Sequence, residues 1–295
     1  MKSETISSDG QFRKDNLWKK ALRKFRRDKL GVAALVVVLF YAVLALGSAF
    51  EFWAAGWDEL YEDAGRVAPS MTYPFGTNIN GQDVFQRAIY STKTAFEVGM
   101  VVAILATIVG AIAGCLSGFF NGKWIDEAIL WVMGSIDCIP FYLFVAAVGF
   151  AFQESEYAMH VAMIATFWTA SGRLIRGEVI KIKHLEFVEA ARSIATPSRL
   201  IMFRHILPNT FHILLVQSTI TFVGAIKSEV ILSFLGLGVK DGVSWGLMIA
   251  EASQEVSAGW FNNFLAASGM LFILVMAFNL FSDSIQDALD PRKVT

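Results

Sequence analysis

Three ionisable side chains stand inside long apolar runs of the chain: Asp137, Lys227 and Glu229. An ionisable group at the centre of a bilayer costs about 2.5–3.5 kcal/mol or more, so it usually faces a bundle interior or an aqueous path. The three can therefore line a solute pathway, Asp137 and Lys227 can form an interhelical ion pair, or all three can lie near helix ends and reach water. Because Lys227 and Glu229 are two residues apart, they point to different helix faces and are poor partners for each other.

Histidine and cysteine, which often bind transition metals, are few and scattered in this chain. Its histidines are His160, His184, His205 and His212, and their spacing does not suit a shared metal site. Cys115 and Cys138 both fall in apolar runs, where small packing residues are the ordinary interpretation. We therefore expect no metal site.

The residues around these side chains have the composition of a membrane protein. Of 295 residues, 55% are hydrophobic and 17% are charged, against about 25% charged in a soluble domain. Since a bilayer core requires about 20 apolar residues per helix, long uncharged windows predict transmembrane helices. These windows, one of them broken by Asp137, are Leu30–Phe50, Val98–Gly122, Ala128–Gln153, Tyr157–Gly172, Asn209–Ile226 and Val256–Ser282. The sequence predicts an all-α polytopic membrane protein with about six transmembrane helices.

Basic residues predict the orientation of these helices. With six spans, twenty Lys and Arg residues lie on the side of both termini and four on the opposite side. This asymmetry predicts that both termini are cytoplasmic. The window Tyr157–Gly172 has only sixteen residues and contains His160, so a re-entrant segment is the alternative. Without this span, however, the basic segment Arg173–Arg204 would lie outside, against the rule.

The charge pattern divides the chain into four segments. In the external loop of the second segment, we expect Asp83–Tyr90 to form a short surface helix. The first segment, residues 1–29, can be either an amphipathic helix on the membrane surface or a simple topology anchor. The segments are a basic, amphipathic cytoplasmic region (1–29), the first transmembrane helix with an external loop (30–93), a core with five transmembrane helices (94–290) and a cytoplasmic tail (291–295).

Three glycines follow one another at a spacing of four residues in the second window: Gly110, Gly114 and Gly118. Residues four apart share one helix face, so these glycines form a groove that lets another helix approach closely. We interpret them as a packing surface.

The polar segment Gly172–Pro208 lies between the fourth and fifth windows and predicts two short helices at the membrane surface. The first contains Ala190 and Ala191, a low-profile patch between Glu189 and Arg192. Such a patch suits docking into a groove of a partner, although a solvated amphipathic loop would have the same composition.

The second short helix has recognisable start and stop signals. Thr196 suits the N-cap, with Pro197 at the first helical position, where a missing N–H is harmless. Pro208 would end the helix, and Asn209 would cap the fifth span.

Several motifs together resemble the permeases of binding-protein-dependent ABC transporters, and most closely the second permease subunit of dipeptide and oligopeptide importers. The likeness covers roughly residues 15–293. Its cytoplasmic part, similar to the EAA loop of that family, is Glu189-Ala190-Ala191-Arg192-Ser193-Ile194-Ala195 followed by His205-Ile206-Leu207-Pro208. Its other parts are Phe75-Gly76-Thr77-Asn78 with Gly81-Gln82-Asp83-Val84, Ser233-Phe234-Leu235-Gly236-Leu237-Gly238 with Ser244-Trp245-Gly246, and Ala277-Phe278-Asn279-Leu280 with Asp287-Ala288-Leu289-Asp290-Pro291-Arg292.

The chain also departs from the family pattern. Ala195 stands where the family usually has glycine, so it is open whether this chain makes a sharp turn after the first short helix. Asn78 and Gln82 replace the usual acidic and basic residues of the external motif, which weakens the inference of an ion pair. Lys227 lies in a span that is usually apolar.

The resemblance implies a non-catalytic subunit of an ATP-driven import complex in the bacterial cytoplasmic membrane. It implies a second, homologous permease chain, two ABC ATPase subunits and an extracytoplasmic solute-binding protein, but no nucleic acid. ATP and Mg would bind the ATPases, since this chain has no G-x-x-x-x-G-K-[ST] loop, and we expect no cofactor here. The residues implied in ATPase coupling are Glu189, Ala190, Ala191, Arg192, Ala195, Leu207 and Pro208.

Dipeptides and oligopeptides are the solutes that the resemblance favours, with nickel or another small solute as the alternative. A secondary transporter that works without ATP is a rival class, but it would more often show inverted repeats and about twelve spans. A membrane scaffold would explain the hydropathy but not the ordered cytoplasmic segment.

Overall fold

The structure, a computed structural model, describes residues 17–61, 64–152, 155 and 157–289. The predicted tail and most of the predicted N-terminal segment lie outside these residues. Within them the chain is helical, with an isolated antiparallel bridge between Thr77 and Asp83, which confirms the all-α prediction. The helices are α1 (Leu17–Arg27), α2 (Lys29–Ala49), α3 (Val84–Phe119), α4 (Trp124–Asp137), α5 (Phe141–Ala151), α6 (Ala158–Ile182), α7 (Glu186–Ser193), α8 (Ser198–Leu200), α9 (Phe211–Phe234), α10 (Trp245–Ser257) and α11 (Asn262–Leu289).

Among the described residues, four helical stretches are long and apolar enough to cross a membrane, or five if one bent pair counts as a span. The predicted number of about six is not confirmed. Helix α6 covers nearly all of the fourth predicted window, but it is less apolar than α2, α3, α9 and α11 and is not among these stretches. The four stretches are Lys29–Ala49, Val84–Phe119, Ser198–Phe234 and Asn262–Leu289.

Helix α3 is 36 residues long and begins well before the uncharged window that predicted it. The Asp83 side chain accepts a hydrogen bond from the Phe85 backbone N–H at 2.8 Å and so caps the helix. The predicted surface helix Asp83–Tyr90 is therefore wrong as a separate element, because these residues are the cap and first two turns of α3. A continuous helix satisfies the backbone groups that a break would leave unpaired.

The third predicted span is broken in two. Helices α4 and α5 are bent by 89° where they meet. Pro140 lies at this break; proline has no backbone N–H and disfavours helical geometry in the residue before it. With 14 and 11 residues, neither half reaches the roughly 30 Å of a bilayer core alone at about 1.5 Å per residue.

Helix α3 is the centre of the bundle and packs most closely against α6. The glycine face predicted for close approach is the face in contact. A Cβ atom added at Gly110 would lie 2.6 Å from Ser171 Cβ, and one added at Gly118 would lie 2.7 Å from the Arg176 carbonyl oxygen. At Gly114 the added atom would also clash with the backbone of α6. Only glycine permits this separation of the two helix axes.

The largest apolar core lies where α3 meets α2, α9, α10 and α11. Phe222 of α9 stacks on Phe278 of α11 with ring centroids 4.1 Å apart, and the fully buried Trp245 begins α10. The Trp245 indole N–H donates to the Ala88 carbonyl at 3.0 Å. These contacts fix the two C-terminal helices around α3.

Candidate functional site

Helix α7, from Glu186 to Ser193, lies at the end of the bundle that carries Phe119, and its base is apolar. Val188 is 0% exposed and Ala191 is 7% exposed. Both belong to one buried cluster with Cys115 of α3, Ile175 of α6 and Ile206, which precedes α9. The short helix is therefore seated on three longer elements at once.

The opposite face of α7 is open. Phe187 is 41% exposed and Ile194 is 78% exposed, and Glu189 and Ala190 lie beside them in the solvent-accessible surface. The prediction that both alanines form the outer patch is wrong for Ala191, which faces the bundle. We call the exposed residues Phe187, Glu189, Ala190 and Ile194 the α7 strip.

A sharp turn follows α7. Ala195 has φ = 55°, in the left-handed region, which costs a residue with a Cβ about 1–2 kcal/mol. The backbone N–H of Thr196 donates to the Ala191 carbonyl at 3.1 Å and closes the turn. The sharp turn that Ala195 left in question is thus present, and it is made with alanine.

The chain re-enters helix directly after this turn. Pro197 occupies the N-cap position and Ser198 begins the helix, so the prediction of Thr196 as N-cap is wrong by one residue. Residues Ser198–Phe234 then form one continuous helical stretch. The turn after α7 is therefore joined to α9 without a break in the helix.

Pro208 does not end this helix, contrary to the sequence prediction. A π-helical turn, Ile201–Ile206, and a 3-10 turn, Leu207–Thr210, precede α9. Such turns change the local hydrogen-bond pattern, so the ring and the missing N–H of a proline are accommodated without a break. Asn209 donates its side-chain amide to the His205 carbonyl and does not cap α9, because the helix does not start there.

Two basic side chains, Arg192 of α7 and Lys183 after α6, lie against the end of α3. The Arg192 guanidinium is 5.7 Å from the centroid of the Phe119 ring, so it lies against the end of α3. Lys183 Nζ donates to the Gly118 carbonyl at 3.2 Å. Burial lowers the pKa of Lys183, and the nearby positive charge of Arg192 lowers this pKa further. Both side chains thus contact the end of α3.

A buried ion pair that the sequence did not reveal holds α4 near this base. Asp126 accepts from Arg176 Nε at 2.8 Å and from Arg176 Nη2 at 2.9 Å. The Gly122 backbone N–H and the Ser117 hydroxyl donate to the same carboxylate. Asp126 and Arg176 are 50 residues apart, and neither stands in an otherwise apolar run. The sequence therefore gave no reason to expect that they form a pair.

The three ionisable residues of the apolar runs have separate surroundings. Asp137 forms an ion pair with Arg173 and accepts from the Thr169 hydroxyl at 2.9 Å, both on α6. The alternative of an Asp137–Lys227 pair is therefore wrong. Lys227 is exposed, whereas Glu229 is buried and accepts a hydrogen bond from the Ser233 hydroxyl. The structure does not bring the three together in one site.

The opposite end of the bundle carries residues 75–84, the motif that was predicted to be external and is called the external motif below. Gln82 Oε1 accepts from Asn78 Nδ2 at 2.8 Å and from the Arg87 guanidinium. Arg87, only 3% exposed, also binds both carboxylate oxygens of Glu251 on α10, at 2.9 and 2.7 Å. An ion pair is thus present here, although it uses Arg87 and not residues 78 or 82.

Comparison with known proteins gives a consistent family. The family described as binding-protein-dependent transport system inner membrane component matches residues 106–295. The N-terminal TM domain of oligopeptide transport permease C matches residues 16–55.

Individual relatives are similar over nearly the whole chain. The dipeptide transport system permease protein DppC of Bacillus subtilis (strain 168) is 32% identical, over 92% of this chain and 85% of that protein. The oligopeptide transport system permease protein OppC of Salmonella typhimurium is 31% identical, over 98% and 95% of the two chains. A crystal structure of an amino acid ABC transporter with histidines has the same fold, with a TM-score of 0.51 at 15% identity over 68% of this chain and 92% of that chain.

Proposed function

Because the chain belongs to the family of binding-protein-dependent transport system inner membrane components, we propose that it is the permease subunit of an importer for dipeptides and oligopeptides. Membership makes it a multi-pass membrane transport component. The substrate class is inferred from relatives that are dipeptide and oligopeptide permeases, about 30% identical over most of the chain.

The observation that carries the proposal is the geometry of α7. Its base is buried against α3, α6 and the start of the Ser198–Phe234 stretch, while the α7 strip exposes apolar side chains that have no cover within the described chain. Exposed apolar surface rimmed by charge is typical of a protein interface. We propose that an ABC ATPase subunit covers this strip, with Glu189 at the contact.

The remaining components follow from the same role. A homologous permease chain would complete the solute path, two ATPase subunits would bind ATP and Mg, and a solute-binding protein would deliver peptide at the opposite face. The end of the bundle that carries α7 would be cytoplasmic, as would both termini. The excess of basic residues on the side of the termini supports this orientation.

The mechanism uses the stiffness of the connections. When two ATPase subunits close on ATP, they would draw the α7 helices of the two permeases together. The apolar base would pass this movement to α3 and α6, and the continuous helix after Ser198 would pass it to α9. Since packed cores switch between discrete arrangements instead of deforming continuously, the helices would change between inward-open and outward-open states.

Reversal of one charge on the α7 strip tests the docking. In Glu189→Arg, we expect peptide uptake by the reconstituted complex to fall at least tenfold while ATP hydrolysis continues and the chain stays folded in the membrane. The matched control is Glu127→Arg, the same charge change on an exposed residue of α4, which should keep uptake near the wild-type rate. Normal uptake by Glu189→Arg would exclude the proposed ATPase contact.

A further inference from the structure

A cavity of about 440 Å³ opens at the end of the bundle opposite α7. Its wall is formed by α3, the first turn of α6, the loop before α10 and Trp57. Glu97 is 22 residues from the end of α3 at Phe119, or about 33 Å along the helix, so it lies near the far boundary of a bilayer core about 30 Å thick. The residues of this outer cavity that carry the inference are Trp57, Tyr90, Lys93, Glu97, His160 and Asp241.

The outer cavity contains charges of both signs. Lys93 Nζ donates to the Tyr90 hydroxyl at 3.2 Å, which leaves two of its three N–H groups for a ligand. The carboxylates of Glu97 and Asp241 have no hydrogen-bond or ion-pair partner in the described part of the chain. A ligand with one positive and one negative group would complement this set.

His160 adds an unsatisfied group to the same wall. It is only 7% exposed, and its Nδ1 atom has no hydrogen-bond partner among the residues that the structure describes. Buried polar atoms in native proteins are nearly always bonded to protein, water or a ligand. A polar ligand in the outer cavity could provide the missing bond.

The aromatic residues give the wall a flat, rigid surface. Trp57 stacks on Tyr90 with ring centroids 4.5 Å apart, and Lys93 Nζ lies 4.9 Å from the Tyr90 centroid. Aromatic rings attract cations through their faces, so the Tyr90 ring helps to hold the Lys93 ammonium group in the wall.

A second, more apolar cavity of about 430 Å³ adjoins the first. The two share Val239, and the first turn of α6 borders both. Val145, Phe150 and Met159 line the second cavity. One ligand could therefore place its polar ends in the outer cavity and an apolar side chain in the second cavity, on the other side of Val239.

We propose that the outer cavity is a binding subsite for a short peptide with free, charged ends. Glu97 and Asp241 bind its ammonium group, Lys93 binds its carboxylate, and His160 Nδ1 bonds its main chain, while a side chain enters the apolar cavity. The volume is in the range of small-ligand pockets. A metal ion is a poor fit, because no group of three His, Cys, Asp or Glu residues in the described chain could hold one. The inference rests on the proposed transport of peptides.

Direct binding tests the subsite. The probe is radiolabelled Ala-Phe, measured on the assembled complex of both permeases and both ATPases in lipid nanodiscs without the solute-binding protein. We expect Glu97→Gln and Lys93→Gln each to weaken binding about tenfold, since each removes one charge-assisted hydrogen bond. The control Glu51→Gln changes an exposed carboxylate that is not in the wall and should bind as the wild type does.

The pairing of each charge with one end of the peptide gives a sharper readout. N-acetyl-Ala-Phe should bind the wild type about tenfold more weakly, and Glu97→Gln should then have little further effect on it. Ala-Phe amide should likewise be insensitive to Lys93→Gln. Equal binding by the wild type and both variants, or no binding by the wild type, would overturn the subsite.

Uptake separates this inference from the proposed function. In proteoliposomes with the binding protein present, ATP-dependent uptake of Ala-Phe by the wild type is expected. Absence of uptake would overturn the proposed function even if the cavity binds peptide. Normal uptake with no effect of the cavity variants on binding would overturn the subsite alone.

Discussion

The α7 strip and the external motif are fixed to the same helix, α3, by opposite means. At one end α7 rests on apolar side chains and exposes further apolar side chains outward. At the other end Arg87 joins the motif to Glu251 of α10 through a largely buried ion pair. The first region leaves apolar side chains uncovered within the described chain, whereas the second is joined by polar contacts within the chain, although Arg87 Nε and Glu255 Oε2 are left without a hydrogen-bond partner among the described residues.

Further bonds close the external region. The Ile79 backbone N–H donates to the buried Glu255 carboxylate at 2.7 Å, and the Trp260 indole N–H donates to the Thr77 carbonyl at 3.3 Å. These bonds pair most of the buried polar groups of the network, which favours this arrangement over alternatives that leave more of them unpaired. We therefore expect the external region to be rigid, and the stability of the α7 region to depend on its base and not on its outer face.

Arg87→Met should have the largest effect on stability. It would leave the carboxylate of Glu251 partly buried and unpaired, and loss of one member of a buried pair costs about 3–5 kcal/mol. Because Glu251 keeps 27% exposure of its side chain, we expect about 3 kcal/mol, measured by denaturant unfolding of the chain in mild detergent.

The double variant Arg87→Met with Glu251→Met is the matched control for this pair. An apolar replacement of both partners should recover much of the lost stability. A loss below about 1 kcal/mol in the single variant would mean that the external region is held by its other contacts.

Val188→Ala should have an intermediate effect on stability. Removal of two fully buried methyl groups, with the cavity they leave, should cost about 2 kcal/mol. The matched control is Phe187→Ala, one residue away on the α7 strip, which should stay within about 0.5 kcal/mol of the wild type.

In transport, Phe187→Ala should have the larger effect of the two variants. Phe187→Ala removes exposed surface that the proposed ATPase contact would bury, so its uptake should fall about tenfold despite normal folding. Equal stability losses in Val188→Ala and Phe187→Ala would show that α7 has no distinct base and outer face.

The helices were predicted well where apolar runs are unbroken. The window Leu30–Phe50 corresponds to α2, and the glycine spacing identified the face of α3 that meets α6. Hydrophobicity and small residues act locally, so the order of residue types is enough to find them. The short helix around Ala190 was also predicted, since its alternation of apolar and charged residues is local.

The charged contacts were not predicted, because their partners are distant in the sequence. Asp137 pairs with Arg173, 36 residues away, and Arg173 lies just beyond the uncharged window that ends at Gly172. Helix α6 thus continues to Ile182, well beyond its window. The helix through Pro208 was missed for another reason, since a π-helical turn is specified by packing and has no sequence signal of its own.

Ala195→Gly should have the smallest effect, and of the opposite sign. Alanine in the left-handed region costs about 1–2 kcal/mol, and glycine removes this cost but adds about 0.4–1 kcal/mol of unfolded-state entropy. We therefore expect a net gain of about 0.5 kcal/mol in the unfolding free energy, with uptake unchanged. Ala190→Gly, inside α7, is the matched control and should lose up to about 1 kcal/mol. If both glycine variants were destabilised equally, residue 195 would not hold the left-handed turn that aims α7 away from the long helix after it.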